Sequence, residues 1–183
     1  NFTDNSHGDT RMTSKLKTDV LETVSGSGTI ALTNQLSGMT SASMPSGSVL
    51  QVVNASYSTD TVSTSSTFAA TGLTATITPS STSSKILVIV SQGGVYKDTN
   101  ATNGVGIKLI STGSLSVVLS VRAAGDIAGN QSIGNVSGSV LDSPNTTSAV
   151  TYSTVFNSTS NAANVYVQVY SATSTITLME IKG

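Results

Sequence analysis

The run Ser80-Ser81-Thr82-Ser83-Ser84 ends directly on Lys85, a juxtaposition that could set an amine beside a hydroxyl nucleophile. Serine attacks only when a base accepts its proton, so this chemistry depends on what else the chain supplies. It supplies one imidazole, His7, far in sequence from every serine after residue 48. No G-x-S-x-G or S-x-x-K motif follows residue 48, and the Ser14-Lys15 pair near the start has nothing around it to form a pocket. Paired carboxylates are the next chemistry to consider, since glycoside hydrolysis uses two. Beyond residue 48 the acids are Asp60, Asp98, Asp126, Asp142 and Glu180, four of them in turn-like contexts, and they read as turn-forming or solvated groups. The stretch Lys97 to Gly104, KDTNATNG, has the look of a calcium loop, but the bidentate Glu required at its twelfth position is replaced by Leu109. It is expected to be a hairpin loop. The chain contains no cysteine, which excludes disulfides and thiolate metal sites, and no glycine cluster opens a helix after a strand to cradle a phosphate. The sequence therefore predicts no catalytic, cofactor-binding or metal site, no cofactor and no enzyme.

The elements that would carry these residues follow from composition and periodicity. Of 183 residues only 9% are charged, against roughly 25% in an average globular protein, while 37% are hydrophobic and Ser with Thr supplies about a third. A net charge of -1 is too small for ordinary disorder. Basic residues are few and scattered, so nucleic-acid binding has no support. No apolar run nears the roughly 18 residues of a membrane span, and no signal peptide is visible. The chain opens on Asn1, which predicts a trimmed N-terminus or a fragment. Seven Asn-x-Ser/Thr sequons, at Asn1, Asn54, Asn100, Asn130, Asn135, Asn145 and Asn157, are what chance produces in a chain this rich in these residues.

Residues 1–46 read as an N-terminal arm and connector, extended or carrying a short helix. Met12, Leu16, Val20, Leu21 and Val24 recur at helical spacing behind Asp9 or Thr10 as cap, and turn-rich SGSGT and LSGMTSASMPSG follow. From Ser48 the period becomes two. Leu73, Ala75 and Ile77 share one face of GLTATIT; Leu115, Val117, Leu119 and Val121 share one face of LSVVLSV; Val165, Val167 and Val169 oppose Tyr166, Gln168 and Tyr170 in NVYVQVY. Similar runs lie near 49–57, 62–69, 85–92, 105–111, 133–141, 149–157 and 175–182. Nine or ten short strands with turn residues between them predict an all-β, antiparallel sandwich of jelly-roll type over residues 47–183. TPSSTSS, Thr78 to Ser84, is then the connection between two strands. The unbroken run Ile86 to Val90 predicts a strand buried on both faces, one against the core and one against a second subunit.

The strings MPSGSVLQVV, TGLTATITPSSTSSKILVIVSQGGVYKD and SATSTITLMEIKG resemble a C-terminal β module of tail-fibre and virion fibre proteins of bacteriophages, particularly those of marine bacteria and cyanobacteria. The resemblance covers about residues 44–183, and GTIALTNQLSGMTSASMP resembles the connector that leads into the module. It implies a compact, trimeric β domain on a virion fibre, spike or capsid surface, with contact to the host surface or a glycan. It implies no catalytic or ligand residues. The expected partners are two further copies of the chain and, through the arm, other virion proteins, with no nucleic acid and no membrane insertion. A secreted carbohydrate-binding adhesin is the alternative: there is no Trp, but Tyr166 and Tyr170 fall on one face of a single predicted strand. A polysaccharide depolymerase is a third.

Overall fold

The computed structural model describes residues 41–98, 103–123, 132–160 and 163–183. The proposed helix of the arm, His7, Asp126 and most of the 1–46 segment lie outside them. The described residues belong to the unit Met39–Gly183. They form ten strands: β1 (Val49–Tyr57), β2 (Thr61–Ser63), β3 (Ala69–Ile77), β4 (Lys85–Lys97), β5 (Val105–Ser111), β6 (Ser116–Ala123), β7 (Ser132–Asp142), β8 (Val150–Ser158), β9 (Val165–Val167) and β10 (Ser174–Ile181). Among these residues the only helical pieces are two three-residue 3-10 turns, Ser41–Ser43 and Val169–Ser171.

All pairings are antiparallel. One sheet follows the order β1-β10-β4, with β7 and β9 both paired to β4 and β2 paired to β9; the other follows β3-β8-β5-β6. Leaving aside the short β2 and β9, each sheet has four long strands. With β2 and β9 set aside, successive strands pass from sheet to sheet except at the β5–β6 hairpin, and β1 and β10, the first and last, lie side by side. This is the jelly roll the periodicity predicts.

The alternation places one face of every strand inside. Leu73, Ala75 and Ile77 of β3, Ile86, Val88 and Val90 of β4, Val150 and Tyr152 of β8, and Ile176 and Leu178 of β10 form one buried cluster. A second gathers Val95, Val105, Ile107, Val136, Phe156, Val165 and Val167. Each such aliphatic side chain contributes about 1.5–3 kcal/mol on burial, so the core is supplied by spacing alone. A buried polar chain also crosses between the sheets. The Thr154 hydroxyl donates to Gln92 Oε1 at 2.8 Å and lies 2.6 Å from that of Thr71. Ser174 Oγ accepts from Gln92 Nε2, Gln168 Nε2 and the Gly93 amide. Three buried donors thus converge on one hydroxyl.

Four sequence expectations need correction. The Lys97 to Gly104 segment joins β4 to β5, which belong to different sheets, so it is a crossing connection and not a hairpin. The 62–69 run is two elements, β2 and the start of β3. NVYVQVY is a strand only to Val167: Gln168, Tyr170 and Ser171 adopt left-handed φ of 59°, 57° and 59°. The chain turns there over a bulge in β4, where Gly94 (φ 56°) comes so close to Val169 that a Cβ would stand 2.6 Å from its amide nitrogen. Val121 is 73% exposed, outside the apolar face assigned to it, because two shifts in the β5–β6 register turn it outward.

Candidate functional site

The serine run connects β3 to β4, as expected, and its hydroxyls serve the turn. Ser81 Oγ accepts from the Ser83 amide at 3.2 Å, and the Ser84 amide donates to the Ser81 carbonyl. A cleft of about 230 Å3 is lined by Ser80, Ser81, Ser84, Leu50 and Lys182 among others. Ser84 is buried with its hydroxyl toward the Glu180 carboxylate, while Lys85 is exposed. Consecutive residues entering a strand point to opposite faces, which separates the imagined Ser–Lys pair. The Lys182 ammonium donates to the Met44 carbonyl.

The acids are held by structural partners. Glu180, facing inward on β10, accepts from the Ser80 amide (2.7 Å), the Ser80 hydroxyl (2.6 Å) and Gln51 Nε2 (2.6 Å). Burial alone would raise this carboxyl, but the hydrogen bonds outweigh it and hold it below the usual carboxylate range. Asp142 accepts the Tyr152 hydroxyl at 2.7 Å, and burial together with that carboxylate pushes the Tyr152 phenol far up. Asp60 accepts from the Ser171 amide. Among the described residues no group of three or more His, Asp or Glu could hold a metal, and Leu109, at the twelfth position of the supposed calcium loop, is fully buried in the core.

The tyrosines do not form the flat binding face that NVYVQVY suggests. Tyr166 is half-buried, its ring tilted against Tyr96 at a centroid distance of 5.3 Å, whereas Tyr170 lies beyond the end of β9 and is 78% exposed.

The outer face of the six-stranded sheet is unlike any of these. The run Ile86 to Val90 is not buried on both sides: Ile86, Val88 and Val90 face the core, while Leu87 is half-buried and Ile89 is 40% exposed. Leu87 pairs with Met179 on β10 and Leu141 on β7, and Met179 pairs with Val52 on β1. Four apolar side chains therefore cross four strands in one row, with Val52 at 56% and Leu141 at 54% exposure. Period two reads this row as a second core face. It is a second apolar face, left uncovered in the single chain.

No protein-family model matches the sequence, and no curated protein matches it. Among solved structures, a chain of "Structure of infectious bursal disease virus Gx strain" is similar at a TM-score of 0.38 and 10% identity. The match covers 74% of this chain and 34% of that one, so the chain spans about a third of that structure's length. The architecture rests instead on the strand order described above.

Proposed function

We propose that the chain is a structural module of a virion: a homotrimeric tail-fibre, spike or capsid-surface domain, held to other virion proteins through residues 1–46. In this reading it is no enzyme and needs no cofactor. The observation that carries the proposal is the row Val52–Met179–Leu87–Leu141, an apolar band in register across four strands with hydroxyl residues beyond it. Covering such a band is favourable by about 25 cal/mol per Å2. Further copies of the same chain, arranged about a three-fold axis, would cover it through a heterologous contact, the row of one copy meeting a different surface of the next. The resemblance over residues 44–183 supports the same reading. So does the jelly roll, an architecture that viral capsid and lectin domains share, although fold by itself does not assign function. The tyrosine geometry gives the adhesin reading no support from Tyr166 and Tyr170.

Light scattering on the full chain at micromolar concentration tests the assembly. A trimer mass is expected, and Met179→Lys, which sets a charge in the middle of the row, should shift it to the monomer with the β-type circular dichroism spectrum unchanged. A stable monomer of the unsubstituted chain would reject the trimer.

A further inference from the structure

The apolar row on the six-stranded sheet runs off both of its edges. It begins at Val52 on β1 and ends at Leu141 on β7, and these two ends are exposed while Met179 and Leu87 between them are half-buried. Two further outward rows lie beside it in the same register, from Asn54 to Ser139 and from Ser56 to Ser137. None of the three rows contains a charged residue.

Among the described residues β1 pairs only with β10 and β7 only with β4, so each has one edge with no strand beside it. Open edges are normally blunted by Lys, Pro or a bulge. β1 contains no charged residue and no Pro, and it is regular from residue 51 to 57. β7 is regular from 136 to 142, with its only charge at the last position. The edge strands of the other sheet differ: β3 is interrupted between Ala70 and Thr74, and β6 is shifted twice against β5. Three antiparallel steps separate β1 from β7, so the two strands run in opposite directions. The β7 edge of one copy, set beside the β1 edge of a copy rotated about an axis along the strands, therefore makes an antiparallel pair.

We propose that three copies close edge to edge, the β7 edge of each pairing with the β1 edge of the next, so that their outer faces form a triangular prism around the axis. This rests on the trimer proposed above and names the contact that builds it. The contact is heterologous, and it closes because each copy turns by a third of a circle. Continuing the rows without a step sets Leu141 opposite Val52 of the next copy, Ser139 opposite Asn54 and Ser137 opposite Ser56. The same register lays the regular residues 136–142 against the regular residues 51–57 with none left over. The dimensions agree. Four strands at about 4.8 Å make a face about 19 Å wide, which in such a prism stands about 5.5 Å from the axis, close to half the roughly 10 Å between packed sheets. Side chains of the three faces then fill the interior at ordinary sheet-packing distance, and the apolar rows join into one ring. The four-stranded sheets lie on the outside, where neighbouring copies diverge and leave the corners open to pairing.

The chain has no cysteine, so cross-links can be placed at chosen positions. Within one copy Asn54 and Ser139 are three strand spacings apart, about 14 Å, beyond the reach of a disulfide. Asn54→Cys combined with Ser139→Cys in the full chain, oxidised with copper phenanthroline, should give a product of three chain masses on a non-reducing denaturing gel. Asn54→Cys with Ser137→Cys, displaced along the strand, should cross-link at least tenfold more slowly. Hydrogen exchange on the unsubstituted chain is the second measurement: edge amides of residues 51–57 and 136–142 should exchange at least tenfold more slowly than in the Met179→Lys monomer. Light scattering on the unsubstituted chain separates this inference from the reading it rests on. A monomer mass overturns the trimer and the prism together. A trimer mass with equal cross-linking of the two cysteine pairs, with no three-chain product, or with unprotected edge amides overturns the prism alone.

Discussion

The two sheets are alike inside and different outside. Both present alternating aliphatic residues to a shared core, since folding requires it. On the outer side the six-stranded sheet carries its apolar row, whereas the four-stranded sheet carries hydroxyl pairs: Thr74 with Ser153 at 3.0 Å and Thr76 with Thr151 at 2.7 Å. Carboxylates divide in the same way, with Asp142 and Glu180 on strands of the first sheet and none on the second. Inner faces report how the chain folds. The outer faces, which folding leaves free, differ in chemistry: an apolar row on one side, hydroxyl pairs on the other.

The contrast between inside and outside breaks most sharply at two neighbouring residues. Val88→Asp sets an unpaired carboxylate in a fully buried position and should cost about 4 kcal/mol or more, enough to abolish cooperative unfolding at room temperature. Ile89→Asp, one residue on and facing outward, should change the unfolding free energy of the monomer by less than about 1 kcal/mol and act on association instead. Chemical denaturation paired with sedimentation measures both; equal destabilisation would mean that the two faces are not distinct.

A smaller effect separates the sheets by their acids. Folding lowers the pKa of Glu180, so the contribution of its ionised form is complete above the unfolded carboxyl value of about 4.3 and is lost as pH falls through the lower folded value. Glu180→Gln should cost about 1–2 kcal/mol at neutral pH and flatten the acid limb of a melting-temperature profile below about pH 4.5. A profile that Glu180→Gln leaves unchanged would show that the acid response lies elsewhere.

The smallest effect belongs to the hydroxyl ladder. Thr76→Val keeps the shape and removes one cross-strand hydroxyl pair in water, worth about 0.5 kcal/mol. Solubility should fall more noticeably than stability. A loss above about 2 kcal/mol in denaturation would mean that this face is covered in the folded protein.

Much of the fold was legible because period two reads the pleat directly. Val49–Tyr57 and Val105–Ser111 coincide with the predicted runs, and Leu73, Ala75 and Ile77 point inward as their spacing requires. Failures fall where a partner strand overrides local pattern. Val121 is turned by register shifts against β5, and the end of NVYVQVY is broken by the Gly94 bulge, neither of which the strand's own residues encode. Alternation also cannot say what covers a face: it reads both sides of Ile86 to Val90 as apolar, and in the single chain only the inner side is covered. A groove on the outer face of the four-stranded sheet was the least legible part. It is lined by Phe68, Lys108 and Asn157, which are far apart in sequence and meet through the β3–β8 and β5–β8 pairings, and the one local signal was a glycine inside a strand pattern, Gly106.

The pairing of the first strand with the last has a mechanical consequence. The Gly47 amide donates to the Lys182 carbonyl and the Lys182 amide to the Ser48 carbonyl, so the chain enters and leaves the domain at one spot. Tension applied through those two adjoining ends opens the β1–β10 ladder a rung at a time, as a zipper opens. Tension between Gly47 and the opposite end of the sandwich, where Tyr57 faces Ser174, loads all the rungs together in shear. The domain is therefore compliant along one axis and stiff along the other, and a tether at residue 47 that feels a pull from the far end loads it in the stiff direction.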